Sequence, residues 1–120
     1  MGNTNELQYE DQSDTLIGFL ATPATDQSQQ PGVLIAHPAG GLDGFIKEQA
    51  IRLADLGYVA LAADFWAQGL LAETTDQKKS LMAPFYEDRM KLGHRICSAL
   101  EVLRHLDRVD SSRLAAIGYC

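Results

Sequence analysis

The chain has 120 residues, 46% of them hydrophobic and 22% charged, and carries a formal net charge of −6. That length suits one domain with a modest core, and the acidic balance argues against nucleic acid as a partner, because phosphate binding needs clustered Lys and Arg. No apolar run reaches a membrane span, the opening MGNTNELQYEDQ lacks the apolar stretch of a secretory signal, and two cysteines, Cys97 and Cys120, are too few for a disulfide scaffold, so the cytoplasm is the expected compartment.

In chain order, residues 15–23 (TLIGFLATP) form an apolar run bounded by turn formers and read as a strand, with ELQY before it pairing as a hairpin across residues 11–14. ATDQSQQPG is a polar loop. VLIAH (33–37) is short and unbroken in its apolar character, as expected of a strand buried on both faces. PAGGLDG follows as a loop. FIKEQAIRLADLG is an amphipathic helix with Ile46, Ala50, Leu53 and Ala54 on one face and Gly57 suited to its C-terminal end. YVALAAD is a second buried strand, left by the loop FWAQG. Residues 74–82 predict a short helix interrupted by Pro84, and residues 85–106 a long one. DRVDSS reads as a turn, and RLAAIGY as a third buried strand.

From Val33 onward the order is strand, helix, strand, helix, strand. That alternation predicts an α/β fold, a parallel sheet with right-handed crossovers and helices on both faces. Ligands of such sheets sit at the carboxyl ends of the strands. HPAGG, DFWAQG and YC fall there.

Gly118, Tyr119 and Cys120 have two readings. They fit the first half of a G-x-nucleophile-x-G elbow, in which a sharp strand-to-helix turn exposes the reactive atom and the helix N-terminus favours a thiolate. They also fit a buried cysteine acting as a small hydrophobe. His94, Cys97, Glu101 and His105 form a stripe on the long helix opposite Leu92, Ile96, Ala99, Leu103 and Leu106. The stripe offers metal-ligand types, but one straight helix cannot wrap four ligands around an ion, and the solvated side of an amphipathic helix explains it. No metal site is expected.

The blocks PGVLIAHPAGGLDGFIKEQAIRLADLGYVALAADFWAQG, LMAPFYEDR and VDSSRLAAIGYC together resemble the dienelactone hydrolase family of α/β-hydrolases. The resemblance runs from Thr15 to Cys120. It implies a mostly parallel sheet with flanking helices, represented by its N-terminal half in one partial domain over residues 1–120. It implies Cys120 as catalytic nucleophile, with the histidine and acid expected later in the chain, as is the order in these hydrolases. His37, Pro38, Ala39, Gly40, Gly41 and Trp66 are the implied oxyanion and substrate-pocket residues, with backbone N–H groups of residues 38–41 holding the oxyanion; His37 reads equally as a loop histidine bonded to backbone, and Trp66 as plain core. Asp64 caps the loop or meets substrate. Pro38 stands where the family places an activating glutamate, which argues against dienelactone itself. Lys78, Lys79 and Arg89 are candidates for a substrate carboxylate, with ordinary surface charge as the plainer reading.

The expected function is hydrolysis of small esters or lactones by a cysteine nucleophile in a full-length form, with no cofactor and no partner besides the small-molecule substrate. This chain alone is expected to be inactive. The alternative is a non-catalytic remnant or complementing half-domain; a thiol redox role lacks a C-x-x-C pair. An unpaired sheet edge at residues 114–119 is expected to drive self-association.

Overall fold

A computed structural model describes residues 2–25 and 29–119. Two strands, β1 (Asn3–Asp11) and β2 (Asp14–Thr22), form the expected antiparallel hairpin. The remaining elements are β3 (Gln30–Ala36), α1 (Gly44–Asp55), β4 (Val59–Ala62), α2 (Thr75–Glu87), α3 (Arg89–Arg104) and β5 (Val109–Gly118). One sheet results, in the order β1-β2-β4-β3-β5. Its β4-β3-β5 part is parallel, and the hairpin joins it antiparallel through β2 and β4.

Val33 to Ala36 of β3 and all of β4 are apolar because both faces are covered. Their side chains alternate between two cores. Val33, Ile35, Ala60 and Ala62 meet Ile46, Ala50 and Ala54 of α1 on one face. Leu34, Val59 and Leu61 meet Ala99 and Leu103 of α3 on the other, with Tyr9 and Leu16 of the hairpin. The predicted apolar face of α1 is therefore the packed one. Asp43 starts that helix by accepting from the Ile46 N–H at 3.1 Å. Gly57 ends it with φ +104°, while the N–H groups of Gly57 and Tyr58 return to the carbonyls of Ala54 and Leu53.

Three expectations are corrected. The helix break falls at Asp88, not Pro84: Pro84 lies inside α2, and Asp88 is extended, closing α2 through its N–H to the Pro84 carbonyl and opening α3 through its side chain to the Met90 N–H. A carboxylate at an N-cap outweighs one missing amide donor near a helix end. DRVDSS is mostly strand, since β5 begins at Val109; the turn signal marks a shift in register between Gln30 and Gly32 of the neighbour. There Asp110 accepts from the Ser112 N–H and hydroxyl and from Arg113, and these bonds, led by the Ser112 hydroxyl, lower its pKa to about 2. Finally, the third strand is not buried as its apolar run suggests: β5 lies at the sheet edge, where the unpaired edge at residues 114–119 was expected, and Ala115 to Gly118 are exposed, Ile117 by 42%.

The inner face of α3 also differs in kind from the predicted stripe. Arg95 is buried there, its Nε 3.1 Å from Asp11 and its Nη2 paired with Asp14, while the Ser98 hydroxyl donates to Asp11 at 2.8 Å. The hairpin is thus clamped to α3 by a buried cation between two carboxylates.

Candidate functional site

The chain leaves β3 for β4 on one side and, through α2 and α3, reaches β5 on the other. The carboxyl end of β3 is a topological switch point, where open α/β sheets bind ligands. A cavity of about 610 Å³ lies there. Its floor is made by Ala36, His37, Pro38 and Ala39 after β3, Phe65 and Trp66 after β4, and Tyr119 after β5. Described residues from all three segments expected at the strand ends therefore meet in one place. The opposite wall comes from the α2–α3 region: Met82, Phe85, Tyr86 and Arg89, then Leu92 and Ile96.

The loop after β3 is held by its own side chains. The Phe65 N–H donates to His37 Nε2 at 3.0 Å, so Nε2 carries no proton. The neutral ring then has its proton on Nδ1, which donates to the Pro38 carbonyl at 2.8 Å. Burial lowers the His37 pKa below the ordinary imidazole value, outweighing the Pro38 hydrogen bond and the Asp64 and Asp43 charges that favour the cation. With both nitrogens engaged, His37 has no free lone pair with which to act as a base. The Pro38 carbonyl also accepts from the Gly41 N–H at 3.0 Å. Gly41, at φ +98°, turns the chain where a Cβ would sit 2.8 Å from the Leu70 carbonyl oxygen.

These contacts narrow the expected oxyanion donors. Pro38 has no N–H, and the Gly41 N–H is taken by the Pro38 carbonyl. Gly40 and Gly41 do not line the cavity. Ala39 does, and its N–H donates to no described residue.

Asp64, fully buried, is the hub of the second loop. Its carboxylate accepts from the N–H groups of Ile17 and Gly69 at 2.9 Å each and of Ala67 at 3.1 Å. Its own N–H donates to the Tyr9 hydroxyl, a phenol whose pKa burial pushes up to about 12. Of the two roles open to Asp64, capping the loop is the one its contacts fill. That loop carries Trp66, whose indole N–H donates to the Ala39 carbonyl at 2.9 Å and whose ring packs on His37 and Phe85. Phe85 is flanked by Lys91 Nζ, 5.4 Å from its ring centre, and by Arg95 at 5.7 Å.

Other expectations separate. Arg89 reaches the cavity; Lys78 and Lys79 do not. Leu92 and Ile96, expected in the core, are 38% and 39% exposed and line the cavity instead. His94, Cys97, Glu101 and His105 are exposed on α3, and the His105 ring nitrogen Nδ1 pairs with the Glu101 carbonyl. Among the described residues no group of three or more His, Cys, Asp or Glu is placed to hold a metal ion. Cys120 lies outside the described residues, while Tyr119 before it bonds the Ala36 carbonyl through its N–H at 3.0 Å. The α2 wall was missed, although Met82, Phe85 and Tyr86 follow the i, i+3, i+4 spacing of one helix face.

Comparison with known proteins agrees with this geometry. A solved structure titled m3DLH superposes with a TM-score of 0.94 at 35% identity, covering 99% of this chain and 50% of its own. A dienelactone hydrolase-like promiscuous phosphotriesterase from metagenomic libraries gives 0.94 at 34%, covering 99% and 49%. The Aquifex aeolicus (strain VF5) protein named "Putative carboxymethylenebutenolidase" is 31% identical over 118 residues, 95% of this chain and 49% of that protein. The chain thus spans about half the length of these relatives. The model of the dienelactone hydrolase family matches residues 16–120, and the chain belongs to that family.

Proposed function

We propose that these 120 residues form the nucleophile-bearing part of an α/β-hydrolase domain that cleaves small esters or lactones, with Cys120 as nucleophile. The Cys120 thiol gives its proton to a base from outside these 120 residues, its thiolate attacks the carbonyl carbon, and as the thioester forms the ester C–O bond breaks and the leaving oxygen takes that proton. Water then cleaves the thioester and restores the thiol. The Ala39 N–H faces the carbonyl oxygen as it becomes an oxyanion. The apolar walls of Trp66, Phe85 and Leu92 take the substrate's apolar part, and Arg89 is the one cation among the lining residues for any anionic end. Pro38 carries no charge, so thiolate formation does not rest on a glutamate at that position.

The observation that supports this reading is the cavity at the switch point, lined by Tyr119, the neighbour of Cys120, and by Ala39, whose N–H donates to no described residue. Family membership supports hydrolysis as the reaction class. None of the three histidines is placed as a base: His37 has both nitrogens bonded, and His94 and His105 lie on the exposed side of α3. The base, and the acid that orients it, would have to come from outside these 120 residues. Loss of a triad's base costs several orders of magnitude, so the 120 residues alone should be inactive.

The test is turnover of 4-nitrophenyl acetate by the product of the whole reading frame, beside its Cys120→Ala variant. Cysteine-dependent turnover is expected. Equal rates for the two proteins would refute the assignment.

A further inference from the structure

We infer that His37 is a positioning residue, which orients the oxyanion donor by holding the Pro38 carbonyl from the far side of the same peptide. The inference rests on the hydrolase reading for its catalytic consequence but on geometry alone for the placement. The Pro38 C=O and the Ala39 N–H belong to one planar peptide unit, and no described peptide bond is cis. In a trans unit these two groups point in opposite directions. Fixing the oxygen therefore fixes the N–H.

Two donors fix the oxygen: His37 Nδ1 at 2.8 Å and the Gly41 N–H at 3.0 Å. The second belongs to the same loop and moves with it. The first belongs to a ring that is itself immobilised from outside the loop, because its Nε2 accepts from the Phe65 N–H at the end of β4. Phe65 and Trp66 also pack on the ring, with centroids 5.0 and 5.1 Å away. His37 thus transfers the position of the β4 end to the peptide after β3. The next peptide is tied in the same way, by the Trp66 indole on the Ala39 carbonyl. What remains without an acceptor among the described residues is the N–H of Ala39, a residue that lines the cavity. A donor set in advance at the place where negative charge develops needs no reorganisation during reaction, and removing one such donor typically costs about 100- to 1,000-fold in kcat.

The ring's two bonds can be tested separately. In His37→Asn, the amide NH₂ replaces Nδ1–H toward the Pro38 carbonyl and abandons Phe65. In His37→Gln, the side-chain oxygen replaces Nε2 toward the Phe65 N–H and abandons Pro38. His37→Phe abandons both. In the product of the whole reading frame, His37→Phe and His37→Gln should lose about 100-fold in kcat with little change in KM, while His37→Asn recovers most of that loss. Melting temperatures are read alongside. Activity that follows the melting temperature through the series, instead of following the donor to Pro38, would overturn the inference.

A second readout needs no activity. Nitrogen-15 NMR of the wild-type protein should find the His37 proton on Nδ1, and the Ala39 amide signal should move in His37→Gln but stay near its place in His37→Asn. A proton on Nε2, or an Ala39 signal indifferent to these changes, refutes the placement. Absence of cysteine-dependent turnover in the wild type, with the NMR result as expected, would instead sink the hydrolase reading and leave the peptide-orienting role standing.

Discussion

Replacing Asp64 with Asn should destabilise the fold more than any comparable change at the surface. The carboxylate is fully buried and, among the described residues, no basic group pairs with it; three backbone N–H groups compensate it instead. Hydrogen bonds to a charged group contribute about 1.5–3 kcal/mol each, against about 0.5–1.5 for neutral pairs. An Asn side chain can keep two of the three, with its oxygen toward Ile17 and Gly69. Its NH₂ then faces the Ala67 N–H, donor against donor. One charged bond is lost and two are weakened, for a gross cost of about 3–5 kcal/mol. Relief of the buried charge offsets part of this, leaving about 2–4 kcal/mol against a typical domain stability of about 5–15 kcal/mol. With a urea slope of about 2 kcal/mol per molar, the midpoint falls by about 1–2 M. Trp66, the one tryptophan, sits on the loop that Asp64 holds. Its fluorescence should therefore change at lower urea than the circular dichroism of the sheet. A midpoint equal to that of the wild type, with the two signals coincident, would refute the view that Asp64 is an anchor of both loop and hairpin.

Three further outcomes follow from the same contacts. Cys97 is exposed on α3 and does not line the cavity, so Cys97→Ala should leave turnover intact while Cys120→Ala abolishes it; equal losses in a side-by-side ester assay contradict the nucleophile assignment. His37 has a lowered folded pKa, so the unfolded chain takes up its proton first, near pH 6.5; the stability that neutral His37 contributes is whole above that pH and is lost as pH falls through the folded value. Urea titrations from pH 7.5 to 5.5 should show this fall in the wild type and a smaller one in His37→Asn; parallel curves would count against it. The outer edge and both faces of β5 near Ile117 are uncovered, and bare apolar edges template pairing, so the 120-residue chain should self-associate, with Ile117→Lys shifting it toward monomer in sedimentation velocity; a monodisperse wild-type monomer would show the edge to be harmless.

The sequence by itself determined most of the architecture, because the signals involved are local. Unbroken apolar runs at Val33 and Val59 marked the central strands, since only strands covered on both faces can be apolar at every position. Ile46, Ala50 and Ala54 recur at helical spacing, so the packed face of α1 followed directly. The strand–helix alternation placed the loops after β3, β4 and β5 at one end of the sheet, and His37, Pro38, Ala39 and Trp66 do meet at the cavity. What only the tertiary structure decided depends on partners distant along the chain. Whether an apolar strand is buried depends on what lies beside it, and β5 reads like β3 yet is exposed at the edge. Nothing in the local sequence marks Arg95 as buried; Asp11 and Asp14, more than 80 residues away, close around it. The hydrogen-bond partners of His37 and Asp64 lie across loops that periodicity does not relate, so their roles as an orienting ring and a capping carboxylate came from geometry. The α2 wall was decided the same way, since the face bearing Phe85 and Tyr86 has no meaning in sequence until the fold supplies a cavity for it to cover.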